Sequence, residues 1–132
     1  MIIVDSSVWI DYFNGTSNAA ADALDALLGI EPITVGDVIL AEVLQGFRSD
    51  SQYQTALRLM RSLDTVEMLG RANALRCAEH YRLLRKRGIT IRKTIDVFIA
   101  TFCIFEGARL LFQDGDFQPF VKHLGLRPQL AA

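Results

Sequence analysis

Apolar residues fall along this chain in short β-branched runs separated by longer stretches with helical spacing. "IIV" at 2–4 and "ITV" at 33–35 predict short buried strands; "TVEML" at 65–69 and "RLLF" at 109–112 predict a third and a fourth. Asp5, Ser6 and Ser7 are good N-cap residues, so Val8–Phe13 reads as a short helix, and Ser17 or Asn18 can cap another to about Leu28. Further helices are predicted from Asp37 to about Phe47, from about Ser51 to Leu63, from about Arg71 to Arg87 and from Thr94 to Gly107. The turn "QDGDF" precedes a last helix to about His123, and about 125–132 reads as a C-terminal tail. Strands alternating with helices predict one α/β domain over residues 1–132, with a mainly parallel sheet of four to five strands covered by helices on both faces.

Two residues break the pattern. In "KTIDVFIATFCIFEG", residues 93–107, Asp96 sits in the first turns of an apolar helix, and in "GDVILAEVLQGF" Glu42 lies among Ile39, Leu40, Val43 and Leu44. Taking an isolated ionised carboxylate out of water costs several kcal/mol even after relaxation, so both acids need partners. Three more acids stand at strand ends: Asp5 after the first strand, Asp114 and Asp116 after the fourth. Open parallel sheets form their sites beyond the carboxyl ends of the strands, where these five can gather. Like charges so placed repel without a cation, and hard ions such as Mg2+ or Mn2+ take carboxylate and water oxygens. Plainer readings exist for each acid. Asp5 can simply cap a helix, Asp114 and Asp116 can be turn residues around Gly115, and Glu42 or Asp96 can pair with a buried arginine.

The chain has 132 residues, of which 51% are apolar, and a formal net charge of −1. Any polyanion must therefore meet a local patch. Arg82, Arg85, Lys86 and Arg87 form the densest one, which also reads as a solvated helix end that matches the helix dipole. Arg92 and Lys93 immediately precede the Asp96 helix and are best placed for phosphate contacts. Trp9 and Phe117 read first as core or dimer contacts, and otherwise as aromatic candidates for base stacking. Cys77 and Cys103 lie in helical apolar patterns without a CxxC, as reduced core thiols of a cytoplasmic protein do. His80 and His123 have no ligand-like spacing, which argues against a zinc enzyme and against histidine-driven ribonuclease chemistry. The N-terminus lacks the pattern of a signal peptide, and no apolar run approaches the roughly 18 residues of a membrane span, so a soluble cytoplasmic protein is expected.

"IIVDSSVWIDYF", "AEVLQG", "TIDVFIA" and "LLFQDGDFQPF", taken in order, resemble the acidic motifs of PIN domains, and most closely the VapC type of bacterial toxin ribonuclease. No one of them is specific; four at this spacing with these apolar flanks are. The resemblance spans residues 2 to about 124 and implies a three-layer α/β/α sandwich with metal-dependent RNA cleavage. It implies an acidic set of Asp5, Glu42, Asp96 and Asp114, with Asp116 as a fifth or alternate ligand. Ser6 takes the small-hydroxyl position and is expected to help orient water or phosphate. Asp5, Asp96 and Asp114 are expected to hold the principal Mg2+ or Mn2+, with Glu42 on a second ion or on the attacking water. Direct attack by water leaves a 5′-phosphate and a 3′-hydroxyl. The resemblance also implies a homodimer and a cognate VapB-type antitoxin that blocks the acidic pocket, in a heterotetramer or larger assembly. The substrate is RNA, with transfer RNA among the candidates, and no membrane is involved. Such members often carry Thr, Asn or His before the fourth acid; here it is Gln113, which leaves the division of labour between Asp114 and Asp116 open.

Three other readings compete. A phospho-receiver domain shares length, parallel sheet and strand-end acids, but needs an acidic pair after its first strand and a lysine after a late one. Here Asp5 is followed by two serines, "TVEML" ends without an aspartate, and the lysine is missing. A catalytically inactive PIN-fold binding module is opposed by intact acids at every motif position. Metal-dependent phosphatase chemistry wants a DxD after the first strand, where this chain has "DSS".

Overall fold

Ile2–Val4 forms β1 as its β-branched run predicts, with all three residues buried. In the computed structural model, which describes residues 1–129, it is the central strand. The others are β2 (Ile33–Gly36), β3 (Asp64–Val66), β4 (Arg109–Leu111) and β5 (Arg127–Pro128). They pair in the order β3-β2-β1-β4-β5, every pair parallel.

The helices are α1 (Ser6–Phe13), α2 (Ala19–Leu27), α3 (Asp37–Gln45), α4 (Asp50–Arg61), α5 (Arg71–Lys86), α6 (Thr94–Glu106) and α7 (Gln118–Leu124), the last preceded by a 3-10 turn at Gly115–Phe117. The helix α1 packs on α2 and α3, and α3 on α4, while α5 packs on α6 and α7, giving two helical groups that sandwich the sheet. Asn18 caps α2 by accepting from the Ala21 N–H at 2.8 Å. Gly107 ends α6 in the left-handed region (φ 68°), which spares a Cβ clash and turns the chain into β4.

The expected C-terminal tail is corrected in its described part. Leu126 is buried, Arg127 and Pro128 pair with β4, and the Gln129 N–H donates to the Leu110 carbonyl at 2.8 Å. A strand this short shows no periodicity, and its proline is tolerated because β5 is an edge strand. The Arg127 guanidinium pins it to the Gly107 carbonyl. Residues 130–132 of the expected tail lie outside the described residues.

The core decides between the two readings of the aromatic candidates. Trp9 and Phe117 are fully buried. Trp9 stacks on Phe13 at 5.8 Å between centroids, and Phe117 packs on Phe112 at 5.2 Å. Neither ring is available to a base. Cys77 and Cys103 are buried free thiols, and burial pushes the Cys103 thiol up to about 12.

Candidate acidic active site

The strand order creates the site. From β1 the chain builds outward through β2 and β3, then returns to lay β4 on the other side of β1. The β1/β4 boundary is thus a topological switch point, where connections diverge and leave a crevice beyond the strand ends. Asp5 follows β1 and Asp114 lies three residues after β4, so both project from this crevice. The Asp5 N–H donates to the Leu111 carbonyl at 2.9 Å, which continues the ladder one step and fixes the two strand ends together.

Asp5 caps α1 and is buried. Its Oδ2 accepts from the Ser7 hydroxyl at 2.7 Å and from the Ser7 N–H at 3.4 Å. Burial raises its pKa, the Ser7 and Ser6 bonds pull it back, and the Glu42 charge raises it further. Capping is therefore real at Asp5 and is compatible with a site role.

Ser6 reaches across from α1 to α3. Its hydroxyl donates to the Glu42 Oε1 at 2.7 Å. A hydroxyl has one proton to give and lone pairs that can still accept, so Ser6 orients a carboxylate of α3 in this structure.

Asp96 is the third residue of α6 and only 7% exposed. Its Oδ2 is buried with no hydrogen-bond partner among the described residues. Burial, then the Asp5 charge, push its pKa up from 3.8 to about 7; Lys93 opposes them, while Asp114 and Asp116 add to them. No arginine among the described residues bonds to this oxygen, so the plainer reading of a buried ion pair does not hold there. Lys93 and Arg92 are both exposed beside the start of α6.

Asp114 caps the 3-10 turn, its Oδ1 accepting from the Asp116 N–H at 2.9 Å. This folds Asp116 back toward Asp96. Asp96, Asp114 and Asp116 each offer a carboxylate oxygen within 4.8 Å of the others, the set of metal-ligand type found among the described residues. Asp116, expected as a fifth or alternate ligand, stands inside this trio, whereas Asp5 and Glu42 stand beside it. Gln113 points elsewhere: its amide donates to the Asp11 carboxylate on α1, which also accepts from the Asn18 amide at 3.0 Å.

Three positioning side chains escaped sequence reasoning. Ser7 carried a signal, as the second serine of "DSS" two residues after an acid, a local side-chain turn pattern. Asp11 carried none, and Gln113 stood out only as a departure from the motif, with nothing to point to its partner 102 positions away. His80 is accounted for by packing: its Nδ1 meets the Thr101 Oγ1 at 2.8 Å between α5 and α6.

The residues fit a divalent metal. An unpartnered buried carboxylate oxygen amid like charges is what an ion would satisfy, and a donor set made only of carboxylates favours a hard cation over zinc.

Residues 2–121 match the PIN domain family. Ribonuclease VapC11 of Mycobacterium tuberculosis is 32% identical over 129 residues, covering 96% of each chain. The toxin–antitoxin structures of VapBC2 from Rickettsia felis, bound to a DNA fragment from its promoter, and of VapBC-1 from nontypeable Haemophilus influenzae share the fold. Their TM-scores are 0.75 and 0.73 at 21% and 18% identity, covering 98% of this chain in both cases and 98% and 97% of theirs. The chain belongs to the PIN-domain family, and within it to the VapC ribonucleases.

Proposed function

We propose, with that membership as the premise, that the chain is a divalent-metal-dependent endoribonuclease and the toxin of a type II toxin–antitoxin pair. The observation that carries this reading is the meeting of Asp96, Asp114 and Asp116 within 4.8 Å at the switch-point crevice, with a buried Asp96 oxygen that nothing among the described residues satisfies. Mg2+ or Mn2+ bound there supplies charge neutralisation at the phosphate and a water of lowered pKa.

The chain's own groups do the rest. Asp96, Asp114 and Asp116 would hold the ion, and Asp5, kept in orientation by Ser7, would add a further carboxylate to it. Glu42, held by Ser6, orients the attacking water and takes its proton. Lys93 and Arg92 meet the RNA backbone at the mouth of the site. Water attack leaves a 5′-phosphate and a 3′-hydroxyl. By analogy with the VapBC assemblies, a VapB-type antitoxin covers the crevice of a toxin homodimer, and free toxin stops translation in the cytoplasm by cutting RNA, transfer RNA included.

The test is cleavage of total cellular RNA by purified wild type and Asp96→Asn, with Mg2+ or Mn2+ and then with EDTA. Discrete fragments only from wild type with metal are expected, and sequencing their ends reads both target and chemistry. Cyclic phosphate ends would overturn the water-attack scheme. Equal cutting by the two proteins, or harmless expression of the chain without its neighbour antitoxin, would overturn the reading itself.

A further inference from the structure

The cations are unevenly placed. Arg82, Arg85, Lys86, Arg87, Arg92 and Lys93 are six of the 14 lysines and arginines, and no acid lies between Glu79 and Asp96. A chain of net charge −1 thus carries a concentrated positive segment, and α5 and its following loop deliver it to the start of α6, beside the acids. The helix dipole accounts for Arg85 and Lys86 in the last turn of α5. It accounts for neither Arg82, one turn earlier, nor the pair Arg92 and Lys93 beyond the helix.

Between α5 and α6 runs a cleft of about 340 Å³, at the lower end of the roughly 300–1,000 Å³ usual for ligand clefts. Cys77, Tyr81, Val97 and Phe98 form its apolar floor, and Arg82 and Arg85 stand on its rim. The Arg85 guanidinium lies 5.6 Å from the Tyr81 ring centroid, making a combined cationic and aromatic platform. The cleft reaches Thr94, within one helical turn of Asp96. Aromatic floor and basic rim are the two components by which proteins hold single strands: bases stack while cations track the phosphates.

We propose that this α5–α6 cleft is a subsite for single-stranded RNA, Tyr81 and Phe98 receiving a base that flanks the cut and Arg82 and Arg85 its phosphate. The proposal rests on the ribonuclease reading above and deepens it. A second copy of the chain is the rival occupant. A two-fold contact places the same patch on both sides, so it would set these arginines against their own copies, whereas RNA brings the opposite charge.

The experiment uses metal-free Asp96→Asn protein, which separates binding from cleavage, and a fluorescein-labelled single-stranded RNA followed by anisotropy across a salt series. Arg82→Ala/Arg85→Ala is expected to weaken binding at least tenfold at low salt. It should also flatten the slope of log affinity against log salt by about 0.7, the share of the one phosphate the pair holds. Tyr81→Ala is expected to lose about 5- to 150-fold, the range of one stacked base, with the slope unchanged, and Tyr81→Phe to restore it. Thermal melts identify any variant that fails to fold, and Tyr81→Phe keeps the test decisive in that event. An unchanged slope and affinity in the double variant overturns the subsite while leaving the nuclease reading intact. Unchanged RNA affinity with a shift to lower mass in sedimentation assigns the cleft to a second copy instead. Wild type that neither binds nor cuts RNA removes both readings together.

Discussion

Asp96→Asn isolates the tension at the centre of the site. In the folded chain the Asp96 carboxyl is 7% exposed, has a partnerless Oδ2, and is pushed from 3.8 to about 7, chiefly by burial and by Asp5. A displacement of that size corresponds to about 4 kcal/mol between the neutral and ionised forms. Residual solvation of the crevice roughly halves the recoverable part, to about 2 kcal/mol. The sign follows from linkage: a carboxyl with a raised folded value stabilises the fold fully below about 3.8, and that stability is lost as pH climbs through about 7. At pH 8 without metal, wild type carries the whole penalty and the isosteric amide carries none. The variant should therefore melt about 6–10 °C higher in EDTA at pH 8, with less than half that gain at pH 5. Metal must invert the order. Mn2+ at 100 times its Kd adds about 2.7 kcal/mol to wild type and much less to a variant lacking a ligand. Scanning fluorimetry at two pH values, with EDTA and with Mn2+, reads all four states. A variant no more stable than wild type at pH 8, or equally stabilised at both pH values, would refute the reasoning.

Other perturbations follow from the same geometry. Ser6→Ala frees Glu42 from its 2.7 Å bond; a hydrogen bond to a charged group is worth about 1.5–3 kcal/mol, so single-turnover cleavage should slow about 10- to 100-fold. Asp11→Ala releases the Gln113 and Asn18 amides, and calorimetric titration should find Mn2+ binding about tenfold weaker as the Asp114–Asp116 loop loosens. Gly36→Ala would place a Cβ 2.4 Å from the Met68 Sδ; urea unfolding should show a loss of about 1–3 kcal/mol, partly recovered when Met68→Ala is added.

What the sequence made legible was inconsistency. Asp96 and Glu42 stood out because a carboxylate contradicts its apolar helix, and the structure gives that contradiction a physical form at Asp96, in a carboxyl raised to about 7 with a partnerless oxygen. β1, β2 and β4 were legible because each carries an apolar run, whereas β5, two residues including a proline on an edge, offers no pattern at all. Trp9 and Phe117 were ambiguous for the opposite reason: a large aromatic suits a core and a base equally, and only the packing of α1 on its neighbours and of the 3-10 turn decides. Asp114 and Asp116 flank one glycine with equal chemistry. Their arrangement comes from a bond between them, the Asp116 N–H to the Asp114 Oδ1, which bends both toward α6. The same holds for Gln113. Its type was visible as a departure, yet its consequence depends on Asp11, 102 positions away and brought near only because β4 returns beside β1. Charges that oppose their surroundings can be found one at a time along a chain. The hydroxyls and amides that aim those charges cannot, because each is ordinary where it stands and acquires its role only when the strand order sets it against a partner.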